Sequence, residues 1–82
     1  MDSLAEVRAV LAEVGDRLGE ALGHAGVARE RLVDAVGVLD GLGEHSEPLV
    51  PAELRRAEQE LEEGLRLIHG GAVAVADIGA RL

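Results

Sequence analysis

The hydrophobic residues of this chain recur every seven positions, beginning close to its start. Between Leu4 and Leu42, two sets of positions are apolar throughout. The first set is Leu4, Leu11, Leu18, Ala25, Leu32 and Leu39, and the second is Val7, Val14, Ala21, Ala28, Ala35 and Leu42. A seven-residue repeat keeps such positions on one side of an α-helix, so the pattern predicts a helix over residues 4–42. Ser3 followed by Glu6 is a capping-box signature at its start.

A second stretch with the same repeat follows a short polar break. Residues 43–50, GEHSEPLV, contain Gly, Ser and Pro and predict a turn. Pro51 suits the first turn of a new helix, because its missing N–H would have no intrahelical partner there. The second helix is predicted over residues 51–82. Its main apolar positions are Leu54, Leu61, Ile68, Val75 and Leu82, and its intermediate positions are Ala57, Gly64, Gly71 and Ile78.

The two repeats share one register when the chain folds back at the turn. Facing residue numbers add to 93 in the first seam, as for Leu32 with Leu61, and to 92 in the second, as for Ala28 with Gly64. Matching heptads of this kind predict an all-α fold, an antiparallel two-helix hairpin resembling a coiled coil. Arg31 and Glu60 are predicted to form an exposed ion pair across it. With 82 residues the chain is one domain, 1–82.

Glycines within both predicted helices allow a break in either of them. Gly15, Gly19 and Gly23 follow one another at four-residue spacing, which either provides a ridge for close approach of another helix or is tolerated with local bending. A break between Gly23 and Gly26 would give three helices instead of two. A break at Gly70-Gly71 would end the second helix early.

Apolar residues outside the two seams predict self-association. Two helices touching along one seam do not offset the conformational entropy lost in ordering the chain. A homodimer, packed as a four-helix bundle, would bury the additional apolar residues together with Leu4 and Val7, which belong to the seams but extend beyond the end of the second helix. The predicted interface consists of Leu4, Val7, Val10, Leu22, Val36, Val38, Leu65 and Leu67. Another helical protein is the alternative partner.

The amino-acid composition argues against two classes of binding partner. The chain has no Cys, Phe, Tyr or Trp, and its net charge is −8, with 16 acidic residues against 8 Arg. An acidic surface without aromatic residues argues against nucleic acid and against anionic membranes as partners. The first residues, MDSLAEV, have no basic region followed by an apolar run, so the expected location is cytoplasmic, with export lacking a cleaved signal as the alternative.

Candidate chemical groups are few and dispersed along the chain. His24, His45 and His69 lack convergent partners in the sequence pattern. The carboxylates between Glu58 and Glu63 point to different sides of a helix, which does not make a loop-like cation site. We therefore expect no catalytic residues, no cofactor, no metal and no enzymatic activity.

The layout, two long helices and a short turn, GLGEHSEP, in about 80 residues of GC-rich composition, resembles the WXG-type helical hairpins of actinobacterial specialised secretion. It is also similar to other small helical-hairpin proteins of actinobacteria. The turn has no Trp-x-Gly. The resemblance implies dimerisation into a four-helix bundle and export without a cleaved signal. The expected function is a self-associating interaction module, with an export-related hairpin or a small antitoxin-like regulator as alternatives.

Overall fold

The computed structural model describes residues 3–43 and 49–82, and these form two long helices. Helix α1 runs Leu4–Leu42 over 39 residues, and helix α2 runs Ala52–Arg81 over 30 residues. The molecule measures 66 × 18 × 14 Å, the shape of two helices side by side. The all-α hairpin is confirmed, and both helices lie within one residue of the predicted ranges. Residues 44–48 of the predicted turn, with His45 and Ser46, lie outside the described residues.

Each helix begins at the signal that the sequence offers. Ser3 is extended, with φ −83° and ψ 164°, and its Oγ accepts a hydrogen bond of 3.1 Å from the backbone N–H of Glu6. This is the Ser3 half of the predicted capping box. Pro51, at φ −63° and ψ 147°, is the N-cap residue of α2, one position before the first helical residue. Its carbonyl accepts a hydrogen bond of 3.1 Å from the Leu54 N–H, which is the first hydrogen bond of the helix.

Both helices continue through their glycines. α1 is unbroken from Gly23 to Gly26, and α2 is unbroken at Gly70-Gly71, so the three-helix alternative is wrong. At every glycine within these two helices, an added Cβ would meet no heavy atom of the neighbouring helix or side chains within 4 Å. The glycines therefore do not mark points of close approach inside the hairpin.

The first predicted seam joins α1 to α2. Its members between Leu11 and Leu39, and those between Leu54 and Val75, are half-buried, whereas Leu4 and Leu82 at the open end are exposed. Since seven residues span two turns of helix, these positions form a continuous line along each helix. The contact between the helices follows that line.

The second predicted seam is not buried on α1, so the prediction that it packs inside the hairpin is wrong. Val14, Leu42 and Ile78 are 39%, 62% and 43% exposed, and the alanines between Val14 and Leu42 are exposed as well. On α2, Gly71 is also exposed, whereas Ala57 and Gly64 are half-buried. The row on the other side of the first seam faces α2 instead. It contains Val36, which is 4% exposed and is the one buried residue of the described ranges, and half-buried Leu22.

The reason for this choice is side-chain volume. Rows three and four residues after a seam position lie about 50° to either side of it, so both are geometrically available. In the middle of the hairpin, one row offers Leu22 and Val36 on α1 and Leu65 on α2, where the other has Ala21, Ala35 and Gly64. The large residues of the other row, Val7, Val14, Leu42 and Ile78, lie toward the two ends of the hairpin. Burying the larger side chains removes more apolar surface from water and stabilises the hairpin more.

Cross-helix ion pairs show the antiparallel register directly. Arg29 lies 3.1 Å from Glu62, and Arg55 lies 2.8 Å from Asp40. At the open end the Arg8 guanidinium donates to the Leu82 carbonyl. The predicted Arg31–Glu60 pair is not among the salt bridges of the described ranges. Glu60 accepts from Arg56 of its own helix at 2.9 Å.

Candidate interaction surface

The hairpin has two broad faces, which differ in chemistry. The first, here called the ion-pair face, carries the Asp40–Arg55 and Arg29–Glu62 pairs. Near the open end it also has a shallow groove. The groove is lined by Arg8, Leu11, Ala12, Gly15, Ala72, Val75, Ala76 and Gly79. These contacts establish which rows of α1 and α2 lie together on this side of the molecule.

The opposite side, here called the apolar face, carries the displaced second seam. Because the rows holding Asp40 and Arg55 meet on one side, the rows holding Ala35 and Ala57 lie together on the other. The two central rows of the apolar face are Val7, Val14, Ala21, Ala28, Ala35 and Leu42 of α1 and Ala57, Gly64, Gly71 and Ile78 of α2. All ten residues are apolar, so this face has an uncharged centre along its whole length.

Large hydrophobic side chains flank these central rows. Val10 and Val38 lie along the α1 edge at 59% and 65% exposed, and Leu67 lies along the α2 edge at 60%. Val33 and Val73 are also exposed, at 44% and 48%, but they lie away from the apolar face, and single exposed hydrophobic residues are ordinary for a protein surface. A longer run of exposed apolar residues, by contrast, is typical of interaction sites, so the apolar face is the candidate surface.

Near the turn, charges are segregated along the two edges of the apolar face. The α1 edge carries Arg17, His24 and Arg31, and the α2 edge carries Glu53 and Glu60, with Arg81 at its open end. Arg17 pairs with Glu13 one turn away at 3.3 Å. Arg31 takes part in none of the salt bridges found in residues 3–43 and 49–82. One edge is therefore basic and the other acidic over the half nearer the turn.

The structure divides the predicted interface residues into two groups. One group is exposed and lies on the apolar face or at the open end of the hairpin: Leu4, Val7, Val10, Val38 and Leu67. The other group lies on the hairpin's own contact: Val36 is buried, and Leu22 and Leu65 are half-buried. These three side chains are engaged within one chain. Val14, Leu42 and Ile78 are absent from the predicted interface, because their seven-residue spacing predicts that they lie in the second seam, inside the hairpin.

Titratable groups are distributed over the surface, and some of the carboxylates pair with arginines nearby. His24 lies on the edge of the apolar face and His69 on the ion-pair face, and both are exposed. Within the described part of the chain, no three His, Asp or Glu side chains come together as a metal site requires. Of the acidic cluster, Glu62 pairs with Arg29, and Glu60 pairs with Arg56.

Glu63, another member of the cluster, has a lowered pKa. Its hydrogen bond from Arg66, with Nε 3.0 Å from Oε2, lowers the pKa of Glu63 below its ordinary value, and the positive charge adds to this effect. The same hydrogen bond raises the pKa of Arg66. Both side chains are exposed, so the pair is a surface feature of α2 and not a reactive site.

Neither described helix combines the length and the apolar character needed to cross a bilayer. Comparison of the chain with protein-family models, with curated proteins and with solved structures finds no match in any of the three.

Proposed function

We propose that this chain is a non-enzymatic, self-associating interaction module whose working form is a pair of hairpins packed as a four-helix bundle. The observation that carries the proposal is the small interior of the single hairpin. Val36 alone is buried among the described residues, and thirteen large hydrophobic side chains are exposed, from Leu4 to Leu82. Such a chain gains little from burial in comparison with the entropy lost on ordering it.

The exposed area supports the same proposal. The hairpin exposes 6203 Å², whereas a compact protein of 8.5 kDa exposes about 4,700 Å² by the usual scaling with mass. The excess is about 1,500 Å² per chain, or about 3,000 Å² for two chains, which lies within the range buried by stable homodimers, about 2,000–5,000 Å². A second hairpin therefore supplies the burial that one hairpin lacks.

Sedimentation equilibrium at micromolar concentrations tests the proposal. We expect a mass of about 17 kDa, twice the 8.5 kDa of one chain. Circular dichroism on the same samples should show a highly helical protein that melts cooperatively, at a temperature that rises with protein concentration. A mass of 8.5 kDa over the whole concentration range, with an unchanged melting temperature, would refute self-association.

A further inference from the structure

We propose that the second copy docks on the apolar face, with the two-fold axis parallel to the long axis of the hairpin. In this arrangement α1 of each subunit packs antiparallel on α2 of its partner. The inference rests on the proposed function and adds to it the surface, the symmetry and the contacts at its edge. The two copies meet through the same surface, as a two-fold dimer requires.

The apolar face fits this role better than the ion-pair face does. Its two central rows contain no charged or hydrogen-bonding side chain, so burying them leaves no polar side chain without a partner. The ion-pair face carries Arg29, Asp40, Arg55 and Glu62 close to its centre. Covering that face would desolvate two ion pairs, which costs more than their mutual attraction returns.

The register of the apolar rows matches a two-fold axis along the hairpin. Rotation about such an axis does not change the position of a residue along the long axis of the hairpin. Two residues that lie at the same position along α1 and α2 of one hairpin therefore face each other across the dimer interface. Ala35 then faces Ala57 of the partner subunit, and Ala28 faces Gly64 of the partner subunit. Small residues in the middle allow close approach, and the larger Val14 and Ile78 meet at the open end. The second predicted seam, which does not form within one hairpin, therefore has the residue spacing expected of a contact between two hairpins.

The edge charges distinguish this axis from the other two-fold that would bring the same faces together. In the proposed arrangement Arg31 is level with Glu60 of the partner subunit, and symmetry makes this pair twice. Glu60 is 66% exposed and uses Oε1 for Arg56, which leaves Oε2 for a second donor. An axis across the hairpin would instead lay α1 on α1 and bring Arg17 near Arg31 of the partner subunit. Two like charges near the middle of the molecule oppose that arrangement, although it would also bring Glu53 near Arg81 of the partner subunit at the two ends.

Reciprocal charge reversal tests the arrangement. Arg31→Glu and Glu60→Arg, each alone, should weaken the dimer about ten-fold, because two attractive pairs become two repulsive ones. An equal mixture of the two variants should recover the wild-type dissociation constant. In the mixed dimer, glutamate at 31 meets arginine at 60, and arginine at 31 meets glutamate at 60, so both pairs are attractive.

Glu30→Arg and Arg66→Glu are the matched controls, because they make the same charge changes on exposed positions away from the apolar face. Alone or mixed, they should change the dissociation constant less than the edge variants do, because they alter the net charge by the same amount without creating a repulsive contact. All variants are compared by sedimentation equilibrium after circular dichroism has established equal helicity. A wild-type chain that stays monomeric overturns the proposed function. A dimeric wild type whose Arg31→Glu and Glu60→Arg variants associate normally, or do not recover on mixing, overturns the arrangement alone.

Discussion

Gly23 lies on the outer side of α1, where its missing side chain serves no contact within the hairpin. It is exposed, its φ is not positive, and an added Cβ would meet no heavy atom within 4 Å. Glycine in a helix interior is nevertheless less favourable than alanine by about 1 kcal/mol, because more backbone entropy is lost on folding. Residues of this kind lower the stability of α1 without a compensating contact.

We therefore expect Gly23→Ala to stabilise the protein by about 0.5–1 kcal/mol, measured by urea denaturation at fixed protein concentration. The matched control is Ala9→Gly, two heptads earlier on the same outer row, which should destabilise it by a similar amount. A destabilising Gly23→Ala would mean that another chain packs closely against this side of the helix.

The Glu63–Arg66 pair has a defined dependence on pH. The pKa of Glu63 is lowered in the folded chain, from an ordinary value of 4.5, first by the hydrogen bond from Arg66 and then by its charge. The stability that it contributes is therefore fully present above pH 4.5 and is lost as the pH falls through the lowered folded value. Both side chains are exposed, so this contribution is small.

The measurement is an NMR titration of the Glu63 carboxyl carbon in the wild type and in Arg66→Gln. We expect a titration midpoint below the ordinary value in the wild type and a return toward that value in the variant. Equal midpoints in the two proteins would show that the hydrogen bond does not form in solution.

Two rows of α1 lie beside the first seam, and either could pack against α2. The buried side chain of Val36 shows that its row makes this contact. Val36→Ala should cost about 2 kcal/mol, since it removes buried methyl groups and leaves a small cavity. Val33→Ala, at a position 44% exposed on the same helix, is the control and should change stability by less than about 0.5 kcal/mol. Urea denaturation of the two variants compares them, and equal losses would mean that the contact is wrongly assigned.

Across the whole molecule, net charge opposes the association that apolar area favours. Each chain carries −8, so two copies repel each other, and the edge pairs of Arg31 with Glu60 offset only part of this repulsion. Raising the salt concentration from about 0.02 M to about 0.3 M shortens the Debye length and screens that repulsion.

We expect the dissociation constant of the dimer to fall by about three- to ten-fold over this range, measured by sedimentation equilibrium. Glu30→Gln removes one negative charge from an exposed position away from the apolar face and should reduce the effect. A dissociation constant that rises with salt would show that attraction between edge charges outweighs the net repulsion.

The sequence by itself determined the helices, the Ser3 cap and the antiparallel register, because these depend on interactions local in the chain or on a repeat carried by every turn. Leu32 and Leu61 could be placed in the contact from spacing alone. The predicted register brings Arg29 opposite Glu62, and these two residues form an ion pair. The pair predicted from the sequence is instead Arg31 with Glu60, and Glu60 pairs with Arg56.

Only the tertiary structure decided which apolar row joins Leu32 in the contact and which remains on the surface. The rows of Ala35 and Val36 lie about equally far from the row of Leu32 around the helix, so periodicity alone cannot separate them. Their separation depends on the volumes that α2 presents, with Leu65 on one side and Gly64 on the other. The candidate interaction surface contains the row of Ala35, which does not pack against the other helix. It can be identified only from the packing of α1 on α2.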